Sequence, residues 1–83
     1  MADAKYIVYL EDENYTEVAV IFSNRVIHLD MARDMSVGAR VSSAGFVRFK
    51  DGKAEAYGRS DSMRIVSKET DTALINKQLG LED

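Results

Sequence analysis

The segment on either side of Asp51-Gly52 carries the side chains best suited to binding chemistry. Asp-Gly between two alternating segments predicts a two-residue hairpin, because both residues accept the positive φ angles of a type I′ turn. The resulting register places aromatic and charged groups on one face: Phe46, Arg48, Lys50, Lys53, Glu55 and Tyr57. The other face is apolar, and we expect it to join the core: Val47, Phe49, Ala54 and Ala56. We therefore predict a partner-contact face at Phe46, Arg48, Lys50 and Tyr57.

His28 is the only histidine of the chain, so any acid, base or ligand role of an imidazole falls to it. Asp30 is two residues away, and on a helix that spacing directs the two side chains away from each other. A lone histidine at the start of a helix is commonly a cap or a surface residue. We therefore predict no catalytic residue here, and an enzyme centred on His28 is only our third hypothesis.

Other motifs give no stronger indication of chemistry. Ser42-Ser43 lacks the Gly-x-Ser-x-Gly elbow of a hydrolase nucleophile, and we interpret the pair as turn residues. Asp12-Glu13-Asn14 lacks the calcium-loop pattern, so we interpret it as a solvated loop. Neither glycine-rich phosphate-binding motif occurs, and the absence of cysteine excludes disulfides and thiolate metal sites. The sequence predicts a protein with no cofactor and no metal.

Length and composition favour a single domain over residues 1–83. Hydrophobic residues make up 46% of the chain and charged residues 30%, which is typical of folded globular proteins. The net charge of −3 is mild, but all six arginines lie within residues 25–64. No segment approaches the ~20 apolar residues of a membrane span, and the amino end lacks a signal-peptide pattern. We expect a cytosolic protein with no membrane partner.

Two strands are predicted at the amino end, over residues 5–10 and 16–22, and they form a first hairpin. The first strand is apolar on both sides, which predicts a position inside the sheet. Residues 25–28 alternate like a strand, whereas Ile27, Met31 and Met35 recur at helical spacing. We favour a short helix that begins at about His28, with Gly38 as its left-handed stop.

The carboxyl-terminal part predicts a turn at residues 60–62, a short strand over 63–66 and a helix. Ser67 is the expected N-cap of this helix, and Gly80 its left-handed end. Leu74, Ile75 and Leu79 are expected to face the sheet. The element order ββαββ(β)α predicts an α+β fold, with an antiparallel or mixed sheet of four to five strands and two helices packed on one face. The opposite face would then be open, or covered by a second copy of the chain.

Several segments lie mainly in the carboxyl-terminal half of the chain: Ser43-Ala44-Gly45-Phe46-Val47, residues 56–62 and residues 69–75, together with His28, Asp30, Met31 and Ala32. In these segments the chain resembles small uncharacterised proteins of bacteria and their prophages. This resemblance implies a bacterial or phage accessory protein, and it implies no role for any single residue.

Our leading hypothesis is a non-enzymatic binding module that contacts a protein partner or associates with itself as a homo-oligomer. The alternative is a nucleic-acid-associated regulator, which would use a basic and aromatic sheet face. Its residues would be Arg48, Lys50, Lys53 and Arg59 with the aromatic pair Phe46 and Tyr57.

Overall fold

The computed structural model of this protein describes residues 3–81 and has the predicted α+β class. Its main sheet is antiparallel and consists of β1 (Ala4–Leu10), β2 (Glu17–Phe22), β3 (Val41–Lys50) and β4 (Lys53–Tyr57), in the spatial order β2-β1-β3-β4. A second, two-stranded sheet is formed by β5 (Arg59–Ser60) and β6 (Ile65–Val66). The helices are α1 (His28–Asp34) and α2 (Asp71–Gln78), and a 3-10 helix spans Gly38–Arg40.

The hairpin of β3 and β4 has the predicted register. Lys50 pairs with Lys53, and the ladder continues to Phe46 opposite Tyr57. Asp51 and Gly52 have φ angles of 54° and 78°, so both adopt the left-handed conformation that a type I′ turn requires. The prediction for this hairpin is confirmed because it depends only on local turn chemistry.

The two helices lie on opposite faces of the main sheet, which differs from our expectation of one shared face. Ile75 of α2 packs with Tyr6 and Val8 on one side. Ala32 of α1 packs with Ile7 on the other side. The reason is that the central strand β1 is apolar on both faces, so each face needs its own cover.

The predicted start of α1 at His28 is confirmed, and the strand alternative for this segment is thereby excluded. Its end differs from the prediction, because Ser36 rather than Gly38 adopts the left-handed conformation, with a φ angle of 59°. The N–H of Val37 then bonds back to the carbonyl of Ala32 at 3.0 Å, which closes the helix in a Schellman arrangement. Gly38 instead begins the 3-10 helix.

Helix α2 begins at Asp71, and its N-cap is Thr70, three residues later than the N-cap predicted at Ser67. The side chain of Asp71 accepts a hydrogen bond from the N–H of Lys68 at 2.9 Å, and this bond orders the preceding turn. The end is as predicted, since Gly80 has a φ angle of 72° and the N–H of Leu81 bonds to the carbonyl of Asn76. Leu79 was expected to face the sheet, but it is 45% exposed because it follows the last helical turn.

Gly45 allows β3 to approach the last residue of β4 closely. A Cβ atom at Gly45 would lie 2.4 Å from the backbone oxygen of Tyr57, closer than any real contact of this type. Gly58 has a φ angle of 78°, and a Cβ atom there would lie 3.3 Å from the ring of Phe46. The absence of a Cβ atom at both positions therefore permits close packing at this end of the hairpin.

We expect Gly45→Ala to lower the free energy of unfolding by about 1–3 kcal/mol, because backbone atoms must move to admit the methyl group. Gly38→Ala is the matched control, since a Cβ there has no neighbour within 4 Å. The control should change stability by less than about 1 kcal/mol and in the favourable direction. Urea unfolding followed by circular dichroism measures both, and equal midpoints for the two variants would contradict the steric argument.

Candidate interaction surface and buried polar groups

Three of the four predicted contact residues come together on the face of the sheet that α1 covers. The rings of Phe46 and Tyr57 stack with their centroids 5.9 Å apart and an interplanar angle of 28°. The guanidinium of Arg48 lies 4.5 Å from the centroid of the Tyr57 ring. Lys50 lies two residues further along β3 and is exposed at the hairpin end. Phe46, Tyr57 and Arg48 thus form one aromatic and cationic ladder of side chains, and Lys50 lies beyond it.

The ladder is held in place by polar contacts at its outer end. The hydroxyl of Tyr57 donates a hydrogen bond to the carboxylate of Asp3, and this bond raises the pKa of Tyr57. Arg48 lies 3.9 Å from Glu55, its cross-strand partner, as an exposed ion pair. Because these groups contact one another, the ladder is an ordered surface rather than a set of independent side chains.

His28 lies at the inner end of the ladder and is only 3% exposed. Its ring meets Phe22 and Phe46 edge-on, with centroids 5.6 and 5.8 Å apart. Its Nε2 atom donates to the carbonyl of Gly45 at 2.8 Å. The expectation of a cap or surface residue is therefore wrong, because aromatic side chains from β2 and β3 enclose the ring. Burial lowers the pKa of His28, and the Gly45 bond opposes that shift in part.

A second polar group lies under α2, on the other face of the sheet. The Asp71 carboxyl group is fully buried and accepts hydrogen bonds from the Tyr6 hydroxyl at 2.5 Å and from the Ser43 hydroxyl at 2.9 Å. Burial, followed by the bond to Asp71, raises the pKa of Tyr6. The sequence did not predict this cluster, since Ser43 was interpreted as a turn residue and Asp71 was not among the candidate residues. The only available signal was an acidic residue among the apolar positions of α2.

The sheet separates the groups from which a serine hydrolase would be assembled. Ser43 and Asp71 lie on the face covered by α2, whereas His28 lies on the face covered by α1. Within residues 3–81, every buried side-chain nitrogen and oxygen has a hydrogen-bond partner. Among the same residues, no group of three His, Asp or Glu side chains could hold a metal ion. The arrangement fits structural roles for these buried groups.

Phe49 departs from its expected position in the core, since it is 54% exposed. Among residues 3–81, the pairing of β1 with β3 extends only to Val47, so no described strand pairs with β3 beside Phe49 on that side. Ala54, its partner on β4, is small and is already covered by α2. The end of the hairpin therefore extends beyond the described part of β1, with the Phe49 ring exposed on one face and Lys50 on the other.

A cleft of about 470 Å³ lies between the β1–β2 loop and the 3-10 helix. Its lining consists of Leu10, Asp12, Glu13, Tyr15, Ala39 and Arg40. The Asp12 carboxylate already accepts bonds from the N–H groups of Asn14 and Thr16, and these bonds lower its pKa. Arg40 donates to the carbonyl of Glu11 at 3.1 Å. The charged side chains of Asp12 and Arg40 therefore form hydrogen bonds to the β1–β2 loop and order it.

The chain matches no known family model, no curated protein and no solved structure in the comparisons made. Neither helix of residues 3–81 is long and apolar enough to cross a membrane. The functional argument therefore depends on the geometry of the surface and of the buried groups.

Tyr6→Phe should lower the free energy of unfolding by about 1–3 kcal/mol, because it removes one of the hydrogen bonds to a buried carboxyl group. Tyr9→Phe is the matched control on the same strand, since its hydroxyl forms no hydrogen bond among residues 3–81. The control should stay within about 0.5 kcal/mol of the parent. Chemical unfolding of both variants measures the difference, and equal losses would show that the Asp71 bond contributes nothing.

The stability of the protein should fall as the pH is lowered from about 7 to 5, in a manner that depends on His28. The folded state holds the pKa of His28 below that of the unfolded chain, about 6.5. Below that pH the unfolded chain takes up a proton more readily, so the free energy of unfolding falls by at most about 1.4 kcal/mol per pH unit from this residue.

His28→Gln removes the titrating group, so its stability should depend less on pH over the same interval. Urea unfolding at closely spaced pH values measures the two slopes. Carboxyl groups titrate in both proteins, and only the difference between the slopes belongs to His28. Identical slopes would show that burial of the imidazole does not shift its pKa.

Proposed function

We propose that this chain is a non-enzymatic binding module that contacts a protein partner with the end of the β3–β4 hairpin. The observation that carries the proposal is the exposed ring of Phe49, flanked along the strand by Arg48 and Lys50. Aromatic residues and arginine are enriched at protein interfaces, where charged groups such as lysine lie in the polar rim. The resemblance to bacterial and prophage proteins supports an accessory role.

The burial of the polar groups supports the non-enzymatic part of this proposal. Ser43, Asp71 and His28 are all enclosed, and each bonds to a neighbouring side chain or backbone group. A catalytic group must reach a substrate, and a reacting nucleophile needs a base within hydrogen-bond distance. Ser43 instead donates to Asp71, and the sheet lies between it and His28.

The charge of the hairpin end indicates a partner with acidic groups around an apolar pocket. Lys50 is exposed at the end of β3, directly after Phe49 in the chain. A carboxylate of a partner would pair with Lys50 while Phe49 enters the pocket. A second copy of the chain is one such partner, since its β1–β2 loop is acidic at Glu11, Asp12 and Glu13.

The nucleic-acid alternative has less support from the same geometry. Base stacking needs an accessible ring face. Phe46 is enclosed by Tyr57, His28 and Gly58, and Tyr57 carries Arg48 over its ring. The cations that remain at the hairpin end would bind a phosphate backbone with a strong dependence on salt.

Capture of partners by the tagged chain should depend on the hairpin end and survive nuclease treatment. We expect the double variant Phe49→Ser, Lys50→Glu to lose the partners that the parent chain retains. Ile27→Ser is the control, because it removes an apolar side chain of similar exposure, 51%, that precedes α1. Sedimentation over a wide concentration range distinguishes a second copy from a different protein.

Two results would contradict the proposal. Partners that the double variant still captures would show that another surface binds them. Partners that disappear after nuclease treatment, together with affinity that falls steeply with salt, would favour the nucleic-acid alternative.

A further inference from the structure

A side-chain amide of helix α2 forms a pair of hydrogen bonds with each edge strand of the main sheet. The Gln78 amide accepts a hydrogen bond from the N–H of Ala19 on β2 at 2.8 Å and donates to its carbonyl at 2.5 Å. The Asn76 amide does the same to Ala54 on β4, at 2.8 and 2.9 Å. A primary amide presents one donor and one acceptor side by side, as a peptide group does. Each amide therefore occupies the position that a neighbouring strand would take.

The edge of β4 is closed along most of its length. Because backbone direction alternates along a strand, Ala54 and Ala56 both point their peptide groups away from β3. The N–H of Ala56 donates to the Thr72 hydroxyl at 2.9 Å, so both outward N–H groups are used. The strand also carries Lys53 and Glu55, and charged side chains on an edge oppose pairing with another chain.

The edge of β2 depends on Gln78 to a greater degree. Ala19 is the middle one of three residues whose peptide groups point outward, the others being Glu17 and Ile21. The strand has the sequence Glu-Val-Ala-Val-Ile-Phe, with one charge at its start and neither lysine nor proline. Short segments of this composition pair readily with other chains when their edge is open.

We propose that the Gln78 amide closes the edge of β2 against strand addition, and that the strand it excludes is β2 of a second copy of this chain. Antiparallel pairing centred on Ala19 would place Glu17 opposite Ile21 and Val18 opposite Val20. This register brings no two like charges face to face and pairs β-branched residues, which favours association. The proposal is independent of the hairpin surface, which lies at the β4 side of the sheet.

Gln78→Met tests the proposal, because methionine has a similar length and no amide. Gln78 is exposed at the last residue of α2, so the change leaves the core intact. We expect the sedimenting mass of this variant to rise with concentration above that of the parent. Asn76→Leu is the control, since it opens β4, whose charged residues still oppose pairing; its mass should follow the parent.

Amide hydrogen exchange at Ala19 gives a second readout. At low concentration, exchange in Gln78→Met should be roughly five- to tenfold faster than in the parent, as loss of about one hydrogen bond implies. At high concentration the same amide should become protected again, because a strand from a second copy replaces Gln78. Adding Val18→Lys, which places a charge on the edge strand, should restore the parental mass.

Three results would overturn the proposal. The mass of Gln78→Met could equal that of the parent at every concentration, which would show that the open edge does not pair. Asn76→Leu could associate to the same extent, which would assign association to general loss of stability. Association of Gln78→Met that persists with Val18→Lys would place the contact elsewhere.

Discussion

The docking of α2 depends on one buried carboxyl group. Asp71 accepts hydrogen bonds from Tyr6 on β1, Ser43 on β3 and the backbone of Lys68. These three donors lie on different elements, so only one placement of the helix start satisfies all of them. A buried polar group left without partners is costly, and this cost penalises any other placement of the helix.

The remaining contacts of α2 follow from that anchor. Ile75 lies one turn after Asp71 and therefore faces the same apolar surface, where it is fully buried. Asn76 and Gln78 are separated by about 200° around the helix axis, so they point to opposite sides and reach opposite edges of the sheet. A helix of eight residues can thus cover one face and contact both edge strands at once.

The packing of the opposite face depends on a close backbone approach instead of a buried carboxyl group. Gly45 permits the close approach of the backbone at Tyr57, and its own carbonyl accepts the hydrogen bond of His28. The imidazole then supports Phe46, on which Tyr57 and Arg48 continue the ladder to the surface. The predicted contact residues are therefore connected to the core through a histidine that the sequence suggested was peripheral.

The sequence predictions succeeded for features that depend on residues close together in the chain, and they failed for features that depend on residues far apart. The Asp51-Gly52 turn, the start of α1 and the Gly80 ending are set by a few adjacent residues, and all three are confirmed. The bond between Tyr6 and Asp71 joins residues 65 positions apart, and that between Ala19 and Gln78 spans 59. No local pattern specifies such pairs. This explains why the start of α2, and the faces of the sheet that the two helices cover, differed from the predictions.

The exposure of Phe49 at the candidate surface depends on both local and long-range features of the chain. Alternation correctly gives Phe49 the same face as Val47, which is fully buried. Its burial, however, depends on the pairing of β1 with β3, which among residues 3–81 ends at Val47, and on α2, whose hydrogen bonds to β4 are made at the two alanines. Because helix side chains occupy the outward N–H groups of β4, the hairpin presents side chains rather than an open backbone edge. Recognition at this surface should therefore use the Phe49 ring and the adjacent cations, since strand addition to β4 would have to displace Asn76 and Thr72.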